Sequence, residues 1–265
     1  MMHSATLVST PLPVMSSRRV LRAYCNDARY EALRMLRAPA FAIPFLLIPA
    51  PLYLLFGVVM ATPSAARNPG VYDFLFIGFC VMAVMGPALF GVGSTLAPER
   101  DAGLARFKRA LPAPAGSYLV AKFLMAMFFA ALAVGTMIIA AKCAGKISLS
   151  ELQLLVLSVV LVLGALPFCA LGLFIGAHFS GAAAPGITNL IYLPMIYLGG
   201  LFIPLPAFLQ KWVVIWPAFH LQQVVVATTG MSKFQFLPPL LCAAVLLGIT
   251  VLFGGLAIRR ISKVG

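Results

Sequence analysis

Charged side chains are scarce in this sequence. They make up 9% of the 265 residues, whereas 62% of the residues are hydrophobic. Soluble globular domains carry about 25% charged residues, and a water-soluble fold of this length could not bury so much apolar surface. The composition therefore predicts an integral membrane protein, with lipid as its solvent. No stretch the size of a small domain has ordinary polar content, so we expect no separate soluble domain.

Acidic residues and catalytic motifs are scarcer still. The chain has six aspartates and glutamates, three histidines and five cysteines, and the cysteines form no CxxC pair. The sequence contains neither a GxxxxGKS/T loop for nucleotide phosphates nor an HExxH zinc motif. We therefore expect no catalytic residue, no metal site and no cofactor bound by this chain. Because no acid lies at the centre of an apolar run, an ion-coupled pump is also disfavoured.

The basic residues give the chain a formal net charge of +13. In a soluble protein this excess would suggest nucleic acid as a partner. Here the basic residues cluster in short segments beside apolar runs, which is the pattern described by the positive-inside rule. The charge therefore indicates membrane topology, and we expect no nucleic-acid partner.

Six apolar runs are long enough to cross a bilayer, so we predict an all-α, polytopic integral membrane protein with its transmembrane domain at 39–260. The predicted spans are Ala40–Ala61, Phe74–Ala97, Tyr118–Ala141, Leu152–Ala177, Pro185–Ile203 and Leu237–Ile258. Lys122 lies near one end of the third span, where we expect its side chain to snorkel to water. Asp73 lies at the edge of the second span, where the helix dipole favours an acid.

The distribution of Lys and Arg predicts the orientation of these spans. Thirteen of these residues lie before the first span, in the loop 98–117 and after the sixth span, whereas five lie on the opposite side. We therefore expect both ends of the chain in the cytoplasm. Residues 1–16 are expected to be a flexible cytoplasmic tail, and residues 261–265 a second tail. The loop 178–184 carries no Lys or Arg and is too short to change this orientation.

Residues 204–236 separate the last two spans but are not an ordinary loop. The stretch Trp212–Thr229 is apolar enough to be considered as a seventh span. However, it contains Pro217, His220 and two glutamines, which are unfavourable in lipid. A seventh span would also place the basic residues at the C-terminus outside the cell. We therefore predict one or two half-inserted, re-entrant helices on the outer face.

Residues 17–38 are predicted to form an amphipathic helix before the first span. Apolar residues recur there at spacings near three and four, and arginines occupy the rest of the helical wheel. We expect this helix to lie along the inner membrane interface. A plain, solvated basic helix leading into the first span would show a similar pattern.

The inner loop between the second and third spans is the most highly charged part of the chain. Six charges fall within the eleven residues from Glu99 to Arg109. Leu104, Phe107 and Leu111 recur at helical spacing, so the loop is predicted to contain a short amphipathic helix. Such a helix suits docking to another protein or to the membrane surface. A basic loop with no partner fits the composition equally well.

Three segments, in order along the chain, resemble the permeases of ABC type-2 transporters. In the inner loop the matching residues are Glu99, Arg100, Gly103, Leu111, Pro112 and Lys122. The approach to the first span matches at Arg37 and Pro39. The region of the fifth span matches at Gly199, Gly200, Phe202, Pro204, Pro217 and His220. The resemblance extends over nearly the whole chain, and the order of the three segments makes it specific.

The resemblance implies the permease subunit of an ATP-driven exporter in the cell (inner) membrane. A separate ABC ATPase, which binds ATP and Mg, would dock from the cytoplasm, and a second permease copy would complete a homodimer or a related heterodimer. The residues implied in coupling to the ATPase are Glu99, Arg100, Asp101, Gly103, Arg106 and Phe107. Those implied on the N-terminal interfacial helix, in contact with lipid and the ATPase, are Arg29, Glu31, Arg34 and Arg37.

The same resemblance assigns Gly199, Gly200, Phe202 and Pro204 to a dimer interface or gate, and Pro217 and His220 to the outer re-entrant region. Glycine and proline are also common in ordinary membrane helices, so both interpretations stand. Because few polar residues lie within the spans, we expect an amphiphilic or hydrophobic cargo, which could be a drug, a lipid or a glycan-like molecule. An ion-coupled secondary transporter and a non-transporting membrane assembly subunit are the alternatives.

Overall fold

The computed structural model of this chain describes residues 17–61, 68, 70–104, 116–202 and 210–264. Every regular element in these ranges is a helix, so the predicted all-α fold is confirmed. The predicted tail 1–16 and the site residues Arg106, Phe107 and Pro204 lie outside the described residues, as does Gly265.

The helices are labelled here in chain order. They are α1 (Ser17–Leu36), α2 (Pro39–Leu47), α3 (Pro49–Leu52), a π-helix (Tyr53–Val59), α4 (Gly70–Asp101), α5 (Ser117–Ala144), α6 (Glu151–Leu163), α7 (Ala165–His178), α8 (Ala184–Leu198), α9 (Gln210–Val213), α10 (Pro217–Thr229), a 3₁₀ turn (Ser232–Phe234) and α11 (Pro239–Val264).

Five helical segments of the described chain are long and apolar enough to cross a membrane. They are Pro39–Val59, Gly70–Asp101, Ser117–Ala144, Glu151–His178 and Pro239–Lys263. The predicted fifth span corresponds to α8, which has 15 residues and ends at Leu198. A helix of this length rises roughly 22 Å, less than the hydrocarbon thickness of about 30 Å. Gly200, with a φ of 68°, turns the chain away after α8. The count of six spans stays a prediction.

Helix α4 is the centre of the molecule. Of its most apolar 18 consecutive residues, 94% are buried, against 22% of the corresponding residues in α11. It packs on α5, α7, α8 and α10, and small residues let the backbones approach closely. A Cβ atom on Gly172 of α7 would lie 2.7 Å from the carbonyl oxygen of Leu89 in α4. The elements around α4 therefore share one tightly packed interior.

Two predicted spans are interrupted in the structure. The first is divided into α2, α3 and the π-helix, because Pro49 and Pro51 lack the N–H groups that a regular helix needs. The fourth is divided into α6 and α7 at Gly164. A Cβ atom there would lie 2.3 Å from a methyl carbon of Leu221 in α10, so the break lies where α10 crosses in close contact.

Helix α10 contains the polar residues that argued against a seventh span, and it buries them within the protein. Its side chains are mostly buried against α4, α6 and α11. The Gln222 side-chain amide donates to the carbonyl of Leu201 at 2.9 Å. Gln223 accepts from the backbone N–H of Phe236 at 2.6 Å. These amides are therefore satisfied by protein rather than exposed to lipid. The depth of α10 in the membrane, and its half-inserted character, stay predictions.

The bundle has two distinct ends. At the end called here the charged end, the last turn of α4 meets α1, the first turns of α5 and the last turn of α7. At the opposite end, called the distal end, Asp73 accepts a hydrogen bond from the Ser148 backbone N–H at 2.9 Å and another from the Ser148 hydroxyl. Asp73 therefore anchors the loop between α5 and α6, a role beyond the dipole effect expected from its position.

Candidate functional site

Lys122 is the most unusual charged residue of the charged end. It lies in the second turn of α5, and its side chain is completely buried. The expectation that Lys122 snorkels to water is therefore wrong. The physical reason is that carboxylates from two other helices enclose its ammonium group, which makes burial of the charge possible.

The partners of Lys122 come from α1 and α4. Its Nζ atom forms an ion pair with Glu31 of α1. A carboxylate oxygen of Glu99, in the last turn of α4, lies 3.2 Å away. The hydroxyl of Thr95, one turn before Glu99, is 2.9 Å from Nζ. Three donors of an ammonium group are thus matched by three oxygens, which is the full complement that a buried lysine requires.

Arg34 completes a cluster of four charges. Its guanidinium lies 2.9 Å from Glu31 Oε1 and also forms an ion pair with Glu99. Although burial opposes its charge, the attraction of Glu31 and Glu99 raises the pKa of Arg34 above its ordinary value. We call Glu31, Arg34, Glu99 and Lys122 the four-charge cluster. Two positive and two negative side chains balance one another, with Lys122 and Glu31 buried, Glu99 largely buried and Arg34 partly exposed.

Tyr118 closes the four-charge cluster from the side of α5. Its hydroxyl donates a hydrogen bond to Glu99, and its ring centroid lies 5.3 Å from Lys122 Nζ. Because Tyr118 and Lys122 are four residues apart on one helix, they share a face. The first turns of α5 thus present both a cation and a hydroxyl to the same carboxylate.

Arg100 and Asp101, the next residues of α4, point elsewhere. The Arg100 guanidinium donates to the carbonyl of Gly176 at 3.1 Å, to that of Ala177, and to that of Phe179 at 2.9 Å. These are backbone oxygens at the C-terminal end of α7, which have no partner within their own helix. Asp101 accepts from the Gly181 N–H at 2.7 Å and from Arg100 at 2.8 Å.

The structure brings together some of the predicted coupling and interfacial residues and not others. Glu31, Arg34 and Glu99 meet in the four-charge cluster. Gly103 follows the end of α4 with a φ of 74°, a left-handed conformation that suits glycine and ends the helix. Arg29, on α1, and Arg37, just after its end, are both exposed. The roles of all these residues in coupling stay predictions.

Sequence reasoning missed Thr95, Tyr118 and Lys122 as members of the site. Lys122 offered two signals, because it is a charge inside an apolar run and it matches the family pattern. The first was interpreted as a snorkelling side chain, and the second was not used to place Lys122 in the site. Tyr118, one turn earlier on the same face, offered a weaker signal. Thr95 gave none, since a hydroxyl in a membrane helix commonly bonds its own backbone, as this one does to Gly91 at 2.7 Å.

The predicted gate residues lie in a different region, against the distal half of α4. A Cβ atom on Gly78 would lie 2.1 Å from the carbonyl oxygen of Leu201. The ring of Phe202 packs on Phe79 with centroids 4.4 Å apart. Because Gly78 has no side chain and Gly200 makes a left-handed turn, the segment that follows α8 lies directly on α4. These contacts are within one chain, and the assignment of these residues to a dimer interface or gate stays a prediction.

Pro217 and His220 begin α10 in the same region. Pro217 occupies the first turn of the helix, where a missing N–H costs little. His220 is buried, and its Nε2 atom lies 2.8 Å from the carbonyl oxygen of Val214. Both residues therefore shape the turn that precedes α10. Their assignment to an outer re-entrant region stays a prediction.

An apolar cleft of about 910 Å³ opens between the first predicted span, α4 and α8. Its lining consists of Pro44, Phe45, Ile48, Pro49, Leu52, Phe56, Met60, Ala61, Val71, Leu75, Phe79, Met82, Ala83, Tyr192, Ile196, Tyr197 and Phe202. No charged side chain is among these residues, and the polar side-chain groups are the two tyrosine hydroxyls. Its volume falls in the range of small-molecule sites.

The described side chains offer ion pairs at the charged end and apolar contacts in the cleft. Among the described residues, no group of three or more His, Cys, Asp or Glu side chains could hold a metal ion. Glu31, Glu99 and Asp101 are engaged by Arg34, Arg100 and Lys122. The charged end therefore joins α1, α4 and α5 by ion pairs, and the cleft has the size and lining to hold an apolar molecule.

Comparison with known proteins agrees with this description. The profile of the ABC-2 type transporter family matches residues 26–236. The chain is also similar to the protein named "Putative transport permease YvfS" of Bacillus subtilis (strain 168). The two are 28% identical over 193 residues, which cover 72% of this chain and 78% of that protein. Because the family profile covers well over half of the chain, the protein belongs to the ABC-2 type transporter family and is a multi-pass membrane transport permease.

Proposed function

We propose that this chain is the permease subunit of an ATP-driven exporter, coupled to a separate cytoplasmic ATPase that binds ATP and Mg. The exporter moves an amphiphilic or hydrophobic molecule across the cell (inner) membrane. In this arrangement the chain crosses the membrane six times, with α8 as the fifth crossing and α9–α10 as outer re-entrant helices. Both ends lie in the cytoplasm, and α1 lies along the inner membrane interface.

The observation that carries the proposal is the four-charge cluster beside the predicted coupling loop. Glu99 lies in the last turn of α4, at the start of that loop, and Lys122 lies in the second turn of α5, soon after its end. Glu31 and Arg34 connect both helices to α1. A force applied to the loop by a partner would therefore act on three helices at once. A permease without catalytic groups of its own needs such a connection.

The apolar cleft supports the choice of cargo. Its lining has aromatic and aliphatic side chains and no charge. An ionised molecule would lose its hydration there without gaining a partner. An apolar molecule, or the apolar part of an amphiphile, would bind without that cost. The cleft faces outward beside the exposed side chains of α2 and α8, where a second permease copy would complete its wall in a dimer.

The experiment is to purify the chain with the ATPase that accompanies it from native membranes and to reconstitute the complex in lipid nanodiscs. We expect the complex to hydrolyse ATP faster than the ATPase alone. The Glu99→Gln variant should still insert in the membrane but should lose this stimulation. The Glu151→Gln variant is the control, because Glu151 forms an exposed ion pair with Lys142 at the distal end.

The same preparation separates the alternatives. Equal hydrolysis with and without the permease would contradict the proposal. Transport of a fluorescent phospholipid by the chain alone, driven by an ion gradient without ATP, would favour a secondary transporter. A bound ATPase whose activity never changes, together with no lipid movement, would favour an assembly subunit.

A further inference from the structure

Three consecutive residues at the end of α4 divide their contacts between two parts of the molecule. Glu99 faces α1 and α5, as part of the four-charge cluster. Arg100 and Asp101 face the connection between α7 and α8. Successive residues of a helix point about 100° apart, so one turn of α4 can hold two different neighbours. The end of α4 is therefore a branch point.

In the second set of contacts, the side chains of Arg100 and Asp101 bind backbone groups between α7 and α8. Arg100 binds three carbonyl oxygens at the end of α7, where a cation is also favoured by the helix dipole. Asp101 fixes the Arg100 guanidinium and accepts from Gly181. A Cβ atom on Gly181 would lie 3.0 Å from Cα of Pro98, so the two chain segments touch. We call Arg100, Asp101 and their contacts to 176–181 the α7–α8 clamp.

The α7–α8 clamp leads to the apolar cleft. Helix α8 begins at Ala184, three residues after Gly181. Its later turns carry Tyr192, Ile196 and Tyr197, which line the cleft. The clamp therefore connects the end of α4, where the predicted coupling loop begins, to a wall of the cleft. The four-charge cluster has no such contact with α8 among the described residues.

We propose that Arg100 and Asp101 are positioning residues that carry movement of the coupling loop into α8, separately from the transmission to α1 and α5 by Glu99. This inference rests on the proposed function. Asp101 holds both Arg100 and Gly181, so its loss releases the start of α8 from α4. The four-charge cluster, which lies on another side of α4, stays intact.

Hydrogen–deuterium exchange of the ATPase complex in nanodiscs tests this division. The native complex is compared in its nucleotide-free and ATP–vanadate states. We expect the nucleotide to change amide exchange in two regions, 178–198 and the contact between α1 and α5. In Asp101→Ala the change in 178–198 should be lost while that at α1 and α5 remains. Glu99→Gln should show the reverse loss.

Two further variants test whether the effect is specific to the contacts of Asp101 or follows from any loss of an acidic side chain. Asp101→Asn has the same shape and keeps one acceptor oxygen, so its response in 178–198 should be intermediate. Glu151→Gln, an exposed acid of the distal end, should respond as the native chain does. A full response of 178–198 in Asp101→Ala would overturn the inference, as would equal loss of both regions in Asp101→Ala and Glu99→Gln. If the native complex shows no stimulated hydrolysis, the proposed function and this inference both fail.

Discussion

Lys122 and Lys142 lie on the same helix in opposite surroundings. The side chain of Lys122 is fully buried among Glu31, Glu99 and Thr95. Lys142 pairs with Glu151 at 2.8 Å, with both side chains well exposed. A buried ion pair gives little net stability, but loss of one partner leaves an uncompensated charge inside the protein. An exposed pair is worth at most about 1 kcal/mol. The same substitution should therefore have very different effects at the two positions.

We expect Lys122→Met to lower the free energy of unfolding by about 3–5 kcal/mol, because Glu31 and Glu99 then face Arg34 alone. Lys142→Met, the matched control, should change it by less than about 1 kcal/mol. Unfolding followed by denaturant titration in detergent micelles measures both values. Combining Lys122→Met with Glu31→Gln should recover part of the loss, since the charges balance again. Equal effects at positions 122 and 142 would contradict the buried cluster.

At the scale of elements, the positions of most helices could be predicted because long apolar runs identify them. The predicted span Phe74–Ala97 lies within one continuous helix, Gly70–Asp101. The breaks in other spans depend on contacts between elements. Gly164 looks like any membrane-helix glycine until Leu221 is placed against it. Likewise, Lys122 looks like a snorkelling residue until α1 and α4 bring their carboxylates to it. The local sequence pattern does not show which helices contact one another.

Two glycines test how α8 is attached to α4. A Cβ atom on Gly78 would lie 2.1 Å from the Leu201 carbonyl oxygen, and this backbone atom cannot turn away. We expect Gly78→Ala to destabilise the protein by about 1–3 kcal/mol and to displace the end of α8. Gly135, in α5, has no atom within 4 Å of the same position, so Gly135→Ala should be neutral or stabilising. Thermal melting of both variants in the same detergent gives the comparison.

At the scale of the whole molecule, the native cysteines report the topology. Cys25 and Cys143 are exposed, whereas Cys80, Cys169 and Cys242 are buried. Cys25 lies on α1 at the charged end, and Cys143 lies in the last turn of α5 at the distal end. In the proposed orientation these two thiols are therefore on opposite sides of the membrane.

We expect a membrane-impermeant maleimide to label Cys143 in intact spheroplasts and Cys25 in inverted vesicles. The variants Cys25→Ser and Cys143→Ser identify which thiol reacts in each preparation. Labelling of both thiols from one side would contradict an odd number of crossings from Cys25 to Cys143. Labelling in the reverse order would place the coupling loop outside the cell, where no ATPase could reach it.

The four-charge cluster also has a consequence for how the protein is made. Glu31 is translated 91 residues before its partner Lys122, which corresponds to on the order of 5–20 s of synthesis. During that interval Arg34, on the same helix, can pair with Glu31, but α5 and its Lys122, against which Glu31 is buried, have not yet been made. Helix α1 can therefore dock only after α4 and α5 have been inserted. Helix α1 is therefore synthesised before α4 and α5 but reaches its place only after them, and its docking marks a correctly assembled charged end.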